Sequence, residues 1–292
     1  MEGETLRRVV VVGTGLIGTS IALALRGHGV EVLLADRDGE AVRLAAGVGA
    51  GTPLPGGVPG YDAAPADLAV LAVPPGSVPS VLLDVQKRAL ANAYTDVAGV
   101  KQAPVSEAAR LGCDLRAFVG GHPLAGRELA GPLAAKADLF RGRPWVLCPT
   151  AECDRAAVAA ATVLVRACGA TPVTLGLADH DRAMAVISHA PHAVASALAA
   201  RFADAPESIM CLAGKGARDV TRIAAGDAGL WLEIMSANAE PIAAVLEEVA
   251  RDLVAAASAL RADRTDSGGA VGELLLRGQY GYGRIPVPAV EA

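Results

Sequence analysis

Aromatic side chains are scarce in this 292-residue chain, at 3% (Trp 2, Tyr 4, Phe 3). The core therefore has to be built from Ala, Val and Leu, and stacking platforms for nucleic-acid bases are not expected. An excess of positive charge is also missing: Lys+Arg is 26 against Asp+Glu 31, a net charge of -5. That balance argues against a nucleic-acid partner but leaves room for a small anion at a locally basic site. Cysteine is sparse and odd in number, at 113, 148, 153, 168 and 211, with no C-x-x-C pair. Neither a disulfide framework nor a metal site is suggested, and reduced thiols in a cytoplasmic protein are expected. The segment Met1–Arg8 lacks the basic start and long apolar core of a secretion signal. No membrane span is expected, because charges interrupt every apolar stretch before about 18 residues. The longest candidate, Ile242–Leu260, carries Glu247, Glu248, Arg251 and Asp252 and reads as an amphipathic helix.

What is abundant is apolar surface. Hydrophobic residues make up 52% and charged residues 20%, which excludes a disordered chain. The first half alternates short β-branched runs with helical stretches. Strands are expected at Val9–Val12, Glu31–Ala35, Leu68–Val73, Tyr94–Val97, Phe118–Gly120, Trp145–Leu147 and Thr171–Leu175, and helices at Gly18–Arg26 and Val78–Ala91. Fully apolar strands between helices imply an α/β fold, a doubly wound and mostly parallel sheet covered on both faces. After Leu175 the strand signals stop. Ala178–Phe202 and Ile242–Leu260 read as long helices, with shorter helices between them, a polar break at 265–270 and an extended tail from Pro286. The expected organisation is a Rossmann-like dinucleotide domain over 1–176 and an all-helical substrate and dimerisation domain over 177–292. Ala-rich helices this apolar need a cover, and a second subunit would supply it.

Gly13-Thr14-Gly15-Leu16-Ile17-Gly18 is a G-x-G-x-x-G run. The pattern is weak alone, but here it follows a strand and opens a helix. In that setting Gly13 makes the tight turn, Gly15 lets the backbone approach a pyrophosphate, and Gly18 lets helix and strand pack closely. Asp36 ends the second strand, where an acid accepts hydrogen bonds from the adenosine ribose. A carboxylate there favours NAD over NADP, whereas the adjacent Arg37 would suit a 2′-phosphate. Val73-Pro74-Pro75 leaves the next strand at the sheet edge where such a cofactor lies.

Five histidines remain to be placed. His28 sits in a glycine turn and reads as surface. His180, among Asp179, Asp181 and Arg182, reads as a solvated helix start. His122, in Gly120-Gly121-His122-Pro123, is expected in a loop just past a strand, where two glycines permit close approach to a ligand. Its imidazole suits a proton acceptor near neutrality. His189 and His192 share a helix face at i, i+3. With no third ligand at matching spacing, substrate contact or a buried structural role is preferred to metal. Arg218 and Arg222 flank Asp219; a guanidinium fork suits a carboxylate, and a surface ion pair with Asp219 is the alternative.

Together these pieces resemble the prephenate dehydrogenase family. The matching blocks run in family order: 12–20, Thr-Asp-Val-Ala-Gly-Val-Lys at 95–101, Gly-Gly-His-Pro-Leu-Ala-Gly at 120–126, 137–145, Ser-His-Ala-Pro-His at 188–192 and Arg-Asp-Val-Thr-Arg-Ile-Ala at 218–224. The resemblance implies NAD-dependent oxidative decarboxylation of a cyclohexadienyl substrate. It implies that His122 accepts the proton of the ring 4-hydroxyl and that Arg222 holds a substrate carboxylate. It also implies that His192, His189 and Arg218 line the substrate pocket, with Asp96 and Lys101 in the loop between cofactor and substrate. A β-hydroxyacid or imine reductase would share the fingerprint but would lack the Gly-Gly-His-Pro block. A non-catalytic NAD sensor would need no His122.

One departure from the family stands out. The loop at 95–101 usually carries a serine where this chain has Gly99, and that serine resembles a partner of the histidine and the 4-hydroxyl. Its loss leaves three readings: a water in the gap with ordinary prephenate activity, an impaired enzyme, or a different 4-substituent. A donor-only ammonium does not need the serine's proton. That reading points to 4-amino-4-deoxyprephenate, used by relatives in antibiotic pathways. Arogenate is a further alternative. The chain ends at Ala292 without room for the tyrosine-sensing domain that many family members carry, a lack that would suit a specialised pathway and is also found in ordinary relatives.

Overall fold

The computed structural model describes residues 5–54, 64–125, 129–262 and 269–286. Eight strands form one sheet: β1 (Arg8–Val12), β2 (Glu31–Ala35), β3 (Thr52–Pro53), β4 (Leu68–Leu71), β5 (Tyr94–Asp96), β6 (Phe118–Pro123), β7 (Pro144–Cys148) and β8 (Thr171–Thr174). Their order is β3-β2-β1-β4-β5-β6-β7-β8. All pairings are parallel except β6 with β7, which is antiparallel. The first six strands reproduce the order of a dinucleotide-binding sheet. Fully buried runs explain why: Val9, Val10, Val11, Leu68, Ala69, Val70 and Leu71 are all at 0% exposure. Such strands need helices on both faces, and two separate apolar clusters, one on each side of the sheet, supply that cover.

The expected strands and helices are present, with ends shifted by a few residues. The helices Gly39–Gly47, Gln102–Arg110 and Arg155–Ala167 add crossovers that the apolar runs did not reveal. Beyond Thr174 the described chain is helical. The stretch expected as a single helix over 178–202 is one run from Leu177 to Ala203, interrupted by a π-helical turn at Ala185–His189. Pro191 accounts for that turn, since it lacks the N–H an α-helical ladder requires there.

By length and composition this run is apolar enough to cross a membrane, with a mean hydropathy of 1.3. The expectation that no such stretch exists is corrected on that count. The run nevertheless carries buried His180, Asp181, His189 and His192, which are hydrogen-bonded or stacked within the protein. That polar content is costly in a lipid setting and ordinary in a protein interior.

The chain forms two compact units, Met1–Ala239 and Glu240–Ala292. The helices between Leu177 and Ala237 thus belong with the sheet, although strands end at Thr174. The second unit holds the helices Ala239–Arg261 and Ala270–Gly283. The latter was not expected from the sequence. The polar break and the tail fall largely outside the described residues.

Candidate active site

The parallel strands point their carboxyl ends to one edge, and the sequence motifs gather there. Val12 leads into Gly13, whose φ of +99° is a conformation L side chains rarely adopt. A Cβ on Gly13 would strike the carbonyl of Ala72, and one on Gly18 would strike the carbonyl of Gly13. Gly15, at the N-cap of the helix Leu16–Gly27, has nothing within 4 Å of where its Cβ would be. Two glycines therefore close the turn and the third leaves its backbone open at a helix N-terminus, the arrangement a pyrophosphate requires. The residues present fit a dinucleotide.

Asp36 does more than await a ribose. One carboxylate oxygen accepts from the Thr14 N–H (2.6 Å) and the Thr14 hydroxyl (3.1 Å), and the other from the Asp38 N–H (3.0 Å). It thus ties the end of β2 to the glycine turn. Arg37 is exposed beside it, and Val73 and Pro74 leave β4 at the same edge, with Pro75 buried. A groove of about 610 Å³ opens nearby between Pro75, Gly76, Ser77, Glu107, Leu232 and Glu233, but it does not include His122.

His122 lies inside β6, opposite Val146 of β7, rather than in a loop beyond the strand. The two glycines before it do not open toward a ligand either. A side chain at Gly121 would collide with the backbone of Asp96, and one at Gly120 would press on Lys101 at 3.1 Å. Their small size admits a buried ion pair. Lys101 and Asp96 are each 1% exposed, with the ammonium against the carboxylate. Asp96 also accepts from the N–H groups of Ala98 (3.0 Å) and Gly121 (2.9 Å). The Lys101 ammonium is thus turned inward under the loop and away from any open surface.

Gly99 lies on that loop, and a Cβ placed there would be 3.8 Å from both Cε1 and Nε2 of His122 and 4.0 Å from Ile234. There is room for a side chain, and it would start beside the imidazole. On its other side the His122 Nδ1 is 2.9 Å from Nε2 of His180. His180 is fully buried, contrary to the expected solvated helix start, and its Nδ1 is 2.8 Å from Asp181. Its helix, Leu177–Met184, follows β8 directly and turns its His180–Asp181 face onto the sheet edge.

Burial pushes the His122 pKa well below 6.5, and the neighbouring His180, Lys101 and His189 charges push the same way. His122 is therefore a neutral imidazole at pH 7. Burial alone would raise the Asp181 carboxyl. The His180 hydrogen bond and the N–H groups of Gln102 and Lys101 outweigh it and hold the carboxyl below its ordinary range.

His189 and His192 both contact Trp231, at 6.1 Å edge-on and 3.6 Å stacked, but differ in their other partners. His189, with its pKa lowered by burial to about 4, has Nδ1 at 3.1 Å from the amide nitrogen of Asn238. His192 stacks on Trp231 with centroids 3.6 Å apart, its buried Nδ1 carrying no partner among the described residues. The short turn Arg222–Ala225 packs against the helix carrying His192. Arg222 and Arg218 are exposed, and Asp219 pairs with Lys215 at 3.7 Å. Sequence reading missed His180, Asp181, Asn238 and Trp231. The i, i+4 spacing of His180 with Met184 was the one signal of a buried face; for Asn238 there was none.

This sheet order, glycine turn and edge-mounted imidazole define a nicotinamide-dependent dehydrogenase. Family models match both parts of the chain: the nucleotide-binding domain of prephenate dehydrogenase over residues 21–174 and its dimerization domain over 177–272. The chain belongs to the prephenate dehydrogenase family and is a dehydrogenase. It is 42% identical over 290 residues to a probable prephenate dehydrogenase, NovF, of Streptomyces niveus, covering 96% of this chain and 78% of that one. It is 30% identical to cyclohexadienyl dehydrogenase of Zymomonas mobilis, covering 85% and 86%. Among solved structures it is similar to A. aeolicus prephenate dehydrogenase in complex with hydroxyphenyl propionate and NAD+, with a TM-score of 0.85 and 25% identity over 98% of this chain and 100% of that one. Synechocystis arogenate dehydrogenase follows with a TM-score of 0.78 and 26% identity over 96% and 100%.

Proposed function

We propose that this dehydrogenase carries out the NAD-dependent oxidative decarboxylation of prephenate or of its 4-amino-4-deoxy analogue, with His122 as the base at the 4-substituent. The observation that carries this reading is the position of His122: neutral, at the carboxyl edge of the sheet, with Nε2 facing the space at Gly99. Bound along Gly13–Gly18 and Asp36, with Val73, Pro74 and Pro75 beside it, NAD supplies the hydride acceptor. His122 takes the proton from the 4-substituent, which raises electron density at ring carbon 4 and assists loss of its hydride; the ring carboxylate leaves as CO2, its electron pair aromatises the ring, and the proton returns from His122 to the 4-substituent of the product. Arg222 holds a carboxylate of the substrate, with Arg218, His189 and His192 lining the pocket. Lys101 contributes from below, by fixing Asp96 and the loop that carries Gly99.

The two substrates differ where this chain departs from its family. A 4-hydroxyl both donates and accepts, and a serine at position 99 would stand ready to serve it. An amine needs acceptors above all, and His122 supplies one without help from position 99. The kcat/KM ratio of prephenate to its 4-amino analogue, read for the wild type and Gly99→Ser, separates them. Serine is expected to shift the ratio toward prephenate by about 10-fold, the worth of one hydrogen bond. An unmoved ratio removes Gly99 from specificity.

NAD is favoured over NADP because the Asp36 carboxylate opposes a 2′-phosphate. In Asp36→Ser, relative activity with NADP is expected to rise, while a weaker glycine turn follows from the lost Thr14 contacts. No gain with NADP assigns the selectivity elsewhere. The division of labour we propose gives residues 1–176 the cofactor and 177–292 the substrate and a homodimer contact. The dimerization-domain match supports the second part. So does the unit Glu240–Ala292, which exposes Leu253, Val254, Leu260, Leu275 and Leu276.

A further inference from the structure

We infer that His180 and Asp181 are positioning residues that fix His122 in the tautomer whose Nε2 is bare. The inference rests on His122 being the base. It starts at Asp181, whose carboxylate is fully spoken for. One oxygen accepts from the Lys101 N–H (2.8 Å) and faces Nδ1 of His180 (2.8 Å), and the other accepts from the Gln102 N–H (2.8 Å). An ionised carboxylate only accepts, so Nδ1 of His180 carries the proton. For His122 to act as the base at Nε2, its single proton must sit on Nδ1 and be donated across the 2.9 Å gap to Nε2 of His180. A neutral imidazole has one proton. With it on Nδ1, the His122 Nε2 is left as an acceptor, on the ring edge that faces Gly99.

The same carboxylate sets the loop as well as the base. Its two backbone hydrogen bonds, at Lys101 and Gln102, anchor the loop that begins at Asp96 and contains Gly99. The Asn238 amide donates to the Asp181 carbonyl at 2.8 Å and holds that residue from behind. Asp181 thus fixes both the orientation of the imidazole and the wall opposite it. The charged and titratable groups around His122 are His180 and Asp181 from one helix, Lys101 and Asp96 from the loop, and His189 from the π-helical turn. None of the others offers the His122 Nδ1 a hydrogen-bond partner among the described residues.

Asp181→Asn and His180→Phe test this in the full-length protein. Asparagine can present its NH2 to His180, which reverses the proton on both rings and blocks Nε2 of His122. In enzymes with an Asp–His pair that isosteric change costs about 10⁴ in kcat. For Asp181→Asn a loss of about 100-fold or more in kcat is expected with NAD affinity nearly unchanged; because the NH2 turned to His180 also displaces the Lys101 N–H contact at the same position, a smaller rise in KM accompanies it. For His180→Phe the loss is smaller, about 10-fold, because His122 is then free to sample both tautomers. The ¹⁵N spectrum of the histidines in the wild type reads the tautomer directly and does not depend on any variant folding. An unprotonated Nε2 on His122 supports the inference, and a protonated Nε2 at neutral pH overturns it. If His122→Asn abolishes turnover while Asp181→Asn leaves kcat and its pH profile intact, positioning fails and the base assignment stands. If His122→Asn turns over normally, the base assignment itself has failed.

Discussion

Replacing His122 with Asn is expected to lower turnover by about 100-fold or more and to leave NAD binding intact. Asparagine is close in size, and its amide can still meet the His180 Nε2 that now faces Nδ1. What it lacks is a basic atom beside Gly99. The cofactor turn lies at β1, on the far side of β4 and β5 from β6, so the change does not reach it. The wild-type pH profile carries the same information. The His122 pKa is pushed well below 6.5, first by burial and then by the nearby His180, Lys101 and His189 charges. The base form therefore appears as pH rises through that lowered value and is complete at neutrality. The acid limb of kcat/KM is expected below pH 6.5 in the wild type and absent in the variant. Turnover within twofold of wild type would remove His122 from the chemistry.

The second large effect is on stability. Lys101→Met is expected to cost about 3 kcal/mol or more, because it leaves a buried carboxylate without its counter-ion. Asp96 would keep the hydrogen bonds from Ala98 and Gly121, which moderate the loss without neutralising the charge. Both side chains are at 1% exposure, so water cannot take the place of the ammonium without opening the sheet edge. Urea unfolding of wild type and variant at pH 7 measures this difference. A difference below about 1 kcal/mol at pH 7 would mean that the pair adds little, the behaviour of a surface ion pair.

The contrast between these two residues shows what could be read in advance. The strand Val9–Val12, the glycine turn and Asp36 are local: a few adjacent residues fix their geometry, and each stands where its spacing implies. His122 was legible as a residue but its setting was not. The antiparallel return of β7 extends β6 through Pro123, and nothing at 118–123 announces a partner 25 residues away. Lys101 was legible as part of a family block, yet its side chain turns inward because Gly120 and Gly121 leave a space that a chain-local reading assigns to a ligand. His180 was misplaced for a related reason. Four consecutive charged or polar residues, Asp179 to Arg182, describe a solvated helix end, and only packing of Leu177–Met184 onto the sheet edge buries His180 and Asp181. Tertiary placement decides such cases, and a single sequence does not encode it in any short spacing.

Trp231 is a further instance. At helical spacing His189 and His192 share a face, and both reach Trp231, His189 edge-on at 6.1 Å and His192 stacked at 3.6 Å, while His189 also meets Asn238. No spacing in the sequence points from these histidines to residues about 40 positions away.

The most direct test of the account is NAD reduction by the purified protein, followed together with CO2 release, on prephenate, arogenate and 4-amino-4-deoxyprephenate in parallel. One NADH per CO2 is expected with prephenate or its 4-amino analogue, lost in His122→Asn. A protein that binds NAD but reduces none of it with any of the three substrates would contradict it.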